Sequence, residues 1–248
     1  MSIQTEIQGS ASLQTVEFRD LGRMRFADAW DLQTTLNREL ITWKRGEQSV
    51  SQPHYLLFCE HPPVYTLGKS GSESHLRIDA DRRAELDVEY FRINRGGDIT
   101  YHGPGQLVVY PIFDLDRFFT DVHKYVRYLE EAIIRLLATY GLQGTRMQDF
   151  TGVWFDGPGG SARKVCAIGV HLSRWVTMHG LALNVNTEMR YFDHIVPCGI
   201  QTDDKSVTSI SQELGRPVDM DEVKQRLKPI FAELFQFTYV EQSSTQRS

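Results

Sequence analysis

The sequence predicts an α+β fold: a mixed β-sheet with helices on one side. Three observations lead there. Helical periodicity is confined to three long, well-separated stretches. Strand-like runs lie grouped between those stretches. The regular βα alternation that builds a doubly wound sheet is missing. A chain of 248 residues, 41% of them hydrophobic, is long enough to bury one sizeable core or two small ones.

The first helix is expected over 27–45, where Leu32, Leu36 and Leu40 recur every four residues. The second is expected over 121–140, carrying Val122, Tyr125, Leu129, Ile133, Leu136 and Leu137, with Gly141 as its stop. The third spans 220–235 with Val223, Leu227, Ile230, Phe231 and Leu234; Asp219 and Glu222 form a capping pair, and Pro229 is a candidate kink. A shorter helix runs from Val207 to Leu214 and ends at Gly215. Strands are expected at 54–60, 90–95, 107–112, 151–156, 164–171 and 178–185. The stretch 156–161, rich in glycine, reads as a hairpin connection. Residues 14–240 form one domain, and 1–13 and 241–248 read as flexible tails.

Composition narrows the function classes. The net charge is −5 and no basic stripe offsets it, which argues against nucleic acid as a partner. Three cysteines at wide spacing, without a CxxC, argue against a disulfide framework or a zinc ribbon. No apolar run approaches membrane-spanning length. The first residues lack the basic and apolar regions of a signal peptide, so a cytoplasmic, reducing setting is expected. No HxH, HExxH or Cys/His cluster suggests a metal, and no phosphate-cradling glycine motif suggests a nucleotide.

The densest signal is the run from Arg95 to Gln106, which holds four glycines, one proline, Arg95 and His102 ahead of the apolar stretch 107–112. Glycines let a backbone approach a ligand closely, and an arginine with free amides can hold a carbonyl or anionic oxygen. The run therefore reads as a substrate-binding loop or as a long turn. Cys198 sits between Pro197 and Gly199, on a turn; it is either a small packing group or a nucleophile awaiting a base or cation. Lys164 opens an apolar strand in which it shares a face with Cys166, Ile168 and Val170. It is either a solvated end residue or a partly desolvated base. Cys166 is the rival nucleophile, ranked below Cys198 because an apolar strand usually uses cysteine for packing; Cys59 reads the same way. Of eight histidines, His102 and then His179 are the functional candidates.

These segments resemble the lipoyl(octanoyl) transferases. The resemblance rests on Arg95-Gly96-Gly97 with Thr100, His102, Gly105, Gln106 and Tyr110; on Lys164 with Ala167-Ile168-Gly169; on the run His179 to Asn184; and on Pro197-Cys198-Gly199. The stretch Glu60 to Gly68 adds to it, and the similarity covers roughly residues 18–215. It implies a single-domain fold like that of biotin- and lipoate-protein ligases and class II aminoacyl-tRNA synthetases, a mixed sheet flanked by helices. It implies transfer of an octanoyl group from octanoyl-acyl carrier protein to a lysine of lipoyl domains, those of 2-oxoacid dehydrogenase E2 subunits and the glycine cleavage H protein, with no cofactor and no metal. By position, Cys198 matches the acyl-thioester nucleophile and Lys164 its activating partner, as a base or as a cation. Arg95, Gly96, Gly97, Asp98, Ile99, Thr100, Tyr101 and His102 match substrate-binding stretches, as do Ala167, Ile168 and Gly169, and Gly180, Leu181 and Ala182.

Four further expectations follow. Gly169, Gly180 and Ala182 keep an acyl tunnel open. Amides near Cys198 or in the 95–97 loop hold an oxyanion. His102 or Lys164 takes the amine proton. Arg92, Arg95, Arg163, Lys164 and Arg174 form a positive mouth for an acidic carrier. Three other readings remain: an ATP-using lipoate or biotin ligase, a cysteine hydrolase built on Cys198 and a histidine, and a scaffold that only binds lipoyl domains.

Overall fold

The computed structural model describes residues 13–46, 54–196 and 204–240. In chain order these form β1 (Gln14–Arg23), α1 (Phe26–Lys44), β2 (His54–Glu60), β3 (Val64–Leu67), α2 (Ala80–Glu85), β4 (Glu89–Arg92), β5 (Ile99–His102), β6 (Gln106–Ile112) and α3 (Val122–Ala138). There follow β7 (Thr145–Met147), β8 (Phe150–Asp156), β9 (Ala162–Ser173), β10 (Val176–Asn184), β11 (Lys205–Val207), α4 (Ile210–Leu214), α5 (Met220–Phe235) and β12 (Phe237–Tyr239). The flanking segments read as flexible tails lie outside the described residues, apart from the exposed Leu13. No helix among the described residues is long and apolar enough to cross a membrane.

The strands make a mixed sheet ordered β12-β1-β2-β6-β10-β9-β8-β7, with β11 paired to β9, and a separate sheet ordered β4-β3-β5. Contacts β1/β12, β1/β2 and β9/β11 are parallel, and the centre of the large sheet is antiparallel. The mixed sheet and its flanking helices match the expected class. Their placement corrects one part of it: helices lie on both faces. Leu56, Phe58, Leu107 and Val109 meet α3 and α5, whereas Tyr55, Leu57, Val108 and Ile112 meet α1. The physical reason is legible afterwards in β2 and β6. Both are almost continuously apolar, and such strands must be covered on two sides.

Local chemistry explains the ends of the helices. Asp121 and Asp219 cap α3 and α5, accepting from Lys124 N and Asp221 N at 2.9 Å each. Glu222 does not complete a capping box; it pairs with Arg226 one turn on. Gly141 and Gly215 adopt φ of +74° and +67°, as stops require. α5 runs through Pro229 from Met220 to Phe235. Val207 belongs to β11, so the short helix begins only at Ile210, after the Ser209 cap.

A β-bulge in β9 decides which way Lys164 points. Lys164 pairs with Trp154, but Cys166 pairs with Val153, so one step on β8 spans two on β9 and Val165 is the extra residue. Lys164 therefore shares the Trp154 face, while Cys166 enters the α3/α5 core beside Val153. The expected common face of Lys164 and Cys166 is thus corrected. Gly152, next to the bulge, has φ +119°, and a Cβ there would lie 2.5 Å from the Cys166 carbonyl oxygen. Its amide donates to the fully buried Glu130 carboxylate at 3.1 Å. Gly152→Ala is expected to cost about 1–3 kcal/mol of backbone strain. Urea unfolding should show a lower midpoint with an unchanged slope; an unaltered midpoint would mean that β8 relaxes freely.

Candidate active site

A cavity of about 430 Å³ lies between the α1-side face of the large sheet and the small sheet β4-β3-β5. Its floor comes from Val108 and Tyr110 on β6, Gly180 and Ala182 on β10, and Ala167 to Val170 on β9. Its roof comes from Thr100 and His102 on β5 and from the loop Arg95 to Asp98. Lys164, Phe150, Thr151 and Val207 close one end. Most of this wall is apolar, as small-molecule sites are.

The roof loop is fastened on both sides. Gly96 N donates to Val170 O at 3.0 Å, Lys69 N to Arg95 O at 2.9 Å, and Gly68 N to Asp98 O at 3.2 Å. Glycine is required where these backbones meet. A Cβ at Gly68 would lie 2.2 Å from Gly97 O, and one at Gly169 would lie 2.9 Å from Gly96 O. At Gly180 a Cβ would lie 2.2 Å from Val109 O. Gly169 and Gly180 thus let backbone segments approach rather than hold a tunnel open; Ala167 and Ala182 supply the low floor. Because the Gly96 amide is already bonded, it is not a free oxyanion donor.

A directed chain of hydrogen bonds crosses the site. The buried Arg95 donates to Thr66 Oγ1 (2.9 Å) and Thr66 O (2.5 Å). The Thr66 hydroxyl faces His102 Nε2 at 3.4 Å, and His102 Nδ1–H donates to Gln106 Oε1 at 2.8 Å. Gln106 Nε2 donates to Asn184 Oδ1 (2.9 Å), Asn184 Nδ2 to Thr208 O (2.9 Å), and Thr208 N to Lys164 O (2.9 Å). The chain ends on the backbone of the lysine. Lys164 is 8% exposed, and its Nζ lies 4.4 Å from the centre of the Trp154 ring, a face that attracts a cation.

Burial lowers the histidines. It pushes His102 and His179 down to about 3 and His61 to about 4. His61 donates from Nδ1 to Met24 O at 2.7 Å and accepts from the Tyr110 hydroxyl at Nε2, also 2.7 Å. His179, at an unusual φ of +60°, places Nε2 2.8 Å from Asn94 Oδ1. A neutral His102 with so low a pKa is a poor proton acceptor, and its bonds to Thr66 and Gln106 suit it to holding the roof. Burial pushes both described thiols up: Cys166, next to Glu130, and Cys59. Cys166 is thus a core group, poorly suited to attack.

The structure brings together on the cavity wall Lys164, Arg95, Gly96, Gly97, Asp98, Ile99, Thr100, His102, Ala167, Ile168, Gly169, Gly180, Leu181 and Ala182. Tyr101 is the exception. Strand alternation turns its ring away from the cavity into a second buried cluster, where it stacks on Tyr191 at 4.7 Å and packs against Tyr65 and Phe192. Cys198, with Pro197 and Gly199, lies outside the described residues; the described chain ends at Val196 and resumes at Asp204, just ahead of β11 beside Lys164. Of the five residues expected to form a cationic mouth, Arg174 is exposed. Arg95 and Lys164 are buried, Arg163 is bound to Glu213 at 2.9 Å, and Arg92 pairs with Glu73 at 3.4 Å. Sequence reading missed Phe26, Val108, Phe150, Thr151 and Val207 as wall residues, since each looks like ordinary core. Asn184 ended a quoted motif, and only its bond to Gln106 reveals its part.

The lipoyl protein ligase A/B catalytic domain family matches residues 26–232. The chain belongs to this family. Members with high similarity are named octanoyltransferase. One, from Cytophaga hutchinsonii, is 52% identical over 230 residues, covering 90% of this chain and 93% of its own. Another, from Parabacteroides distasonis, is 48% identical over 225 residues, covering 90% and 100%. Among solved structures, the bipartite lipoate protein ligase of Thermoplasma acidophilum superposes with a TM-score of 0.65 at 17% identity, covering 94% of this chain and 88% of that one. The biotin protein ligase of Aquifex aeolicus, in complex with biotin and ATP, gives 0.51 at 12% identity, covering 90% and 70%. At such identities these two structures speak for the fold alone.

The buried histidines give this family member a signed pH dependence. His54 is held near 4, like His61, against an ordinary value of 6.5. Between about 3 and 6.5 the unfolded chain binds more protons than the folded one, so stability rises with pH across that window and is lost as pH falls through it. The thermal midpoint read by circular dichroism should drop steadily from pH 6.5 to pH 4, and His102→Gln should flatten the slope. A level midpoint would mean that these imidazoles protonate in place.

Proposed function

We propose that this protein is an octanoyltransferase: it moves an octanoyl group from acyl carrier protein to a lysine of a lipoyl domain through a thioester on Cys198, in the cytoplasm. One observation carries the reading for this chain. A buried lysine, aimed by a bulge, stands at the end of an apolar cavity, in a family whose similar members bear that name. The fold alone does not choose between transferase and ligase, since lipoate ligases share it.

In this mechanism the Cys198 thiolate attacks the thioester carbonyl, and the carrier thiol leaves with a proton. Lys164 acts at this step, either taking the thiol proton or stabilising the thiolate as a neighbouring cation. One thioester replaces another at nearly equal energy, so the site need only generate the thiolate and hold the oxyanion. The acceptor lysine then attacks the acyl-cysteine, an amide forms, and the thiol is regenerated. With His102 neutral and fastened to Gln106, Lys164 is the group suited to take the amine proton. Burial of the seven carbons beyond the carbonyl contributes roughly 5 kcal/mol to holding the chain. The acceptors are lipoyl domains of the 2-oxoacid dehydrogenase E2 subunits and the H protein.

Intact mass spectrometry after incubation with octanoyl-acyl carrier protein tests the thioester. A gain of one octanoyl group is expected in the parent and in Cys166→Ala, and none in Cys198→Ala. Retention of the adduct by Cys198→Ala would overturn the assignment. Lys164→Met should lower kcat by about 10²–10⁴-fold with a smaller change in KM; an unchanged kcat would remove Lys164 from the chemistry.

A further inference from the structure

We infer that Phe26 sets the length of the acyl chain that the cavity accepts. The inference rests on the functional reading above, that an acyl group occupies this cavity. Sheet register gives the cavity a direction. Val108, Ala182 and Ala167 form one row across β6, β10 and β9, about 10 Å wide at a strand spacing near 4.8 Å. Strand β10 is antiparallel to both neighbours, so β6 and β9 run the same way. Lys164 lies before this row on β9, and Tyr110 lies after it on β6. The two residues therefore stand at opposite corners of the floor. A chain whose carbonyl sits by Lys164 sends its methyl end toward Tyr110.

At that far corner the groups differ in how firmly they are held. The Tyr110 hydroxyl is fastened to His61, and His61 to Met24 O. His102 is fastened to Gln106. Phe26 has only an apolar ring. It is the first residue of α1, 1% exposed, and it faces His61 at 5.5 Å, Phe91 at 5.2 Å and His102 at 6.2 Å between ring centres, the last with planes 4° apart. Removing this ring leaves a void walled by neutral rings while the polar ties behind it persist. Such a void is apolar and is filled by further methylenes rather than by water.

The test is a one-pot competition. The enzyme receives equal amounts of acyl carrier protein loaded with hexanoyl, octanoyl, decanoyl and dodecanoyl groups, plus a lipoyl domain whose products are read by mass. The product ratios do not depend on how much of a variant folds. Phe26→Ala should raise decanoyl over octanoyl transfer by at least about tenfold, the scale on which an apolar pocket discriminates a methylene. Phe26→Leu should shift the ratio the same way by a smaller factor, and Phe26→Trp should favour hexanoyl. Parental transfer with an unchanged length profile in all three variants would overturn the inference and leave the functional reading standing. Absence of transfer by the parent with every chain would overturn both.

Discussion

From Arg95 through Thr66, His102, Gln106, Asn184 and Thr208, hydrogen bonds run in one donor direction to the backbone of Lys164. This chain links the small sheet, the large sheet and the segment that enters α4. Each member is buried, so each must find its partner or bear the cost of a desolvated polar group. That requirement fixes the distance between the two sheets, and the cavity is the space the requirement leaves. Gly68 and Gly169 serve the same end, because only bare backbones come close enough to hold the roof loop against the small sheet on one side and the floor on the other.

The second constraint is local to β8 and β9. A regular strand would have pointed Lys164 and Cys166 the same way. The extra residue at Val165 separates them, sending the amine into the cavity and the thiol into the core. Glu130 anchors the neighbouring turn of β8 through the Gly152 amide, and it is itself compensated by Arg127 and Arg146. A fully buried carboxylate is tolerable only with such partners. A helix on one face of the sheet thus steadies the strand beside the lysine that points to the other.

Electrostatically the site is quieter than its histidine content suggests. Burial keeps His61, His102 and His179 neutral well below neutral pH. They act as fixed donors and acceptors that orient side chains. This suits a chamber for a saturated chain, where mobile protons would be of no use, with one ionisable amine at the end where acyl transfer is proposed.

The sequence by itself determined the class, the long elements and the segments that matter. Apolar spacing marked α1, α3 and α5, Gly141 marked the end of α3 and Asp219 the start of α5, because capping and periodicity are local. The motif runs near 95–102, 164–169 and 180–182 carried the family resemblance. Tertiary structure decided the rest. The strands β1, β3 and β5 were missed because one is polar, one is short and one lies inside the glycine run, and pairing alone makes them strands. That α1 covers the second face, that Tyr101 turns away and that Lys164 parts from Cys166 depend on partners distant in sequence. The same holds for Phe26, which looks like any helix-face aromatic until its ring contacts with His61 and His102 place it at the Tyr110 corner, across the floor from Lys164. Long-range contacts choose faces and neighbours, and no local pattern encodes them.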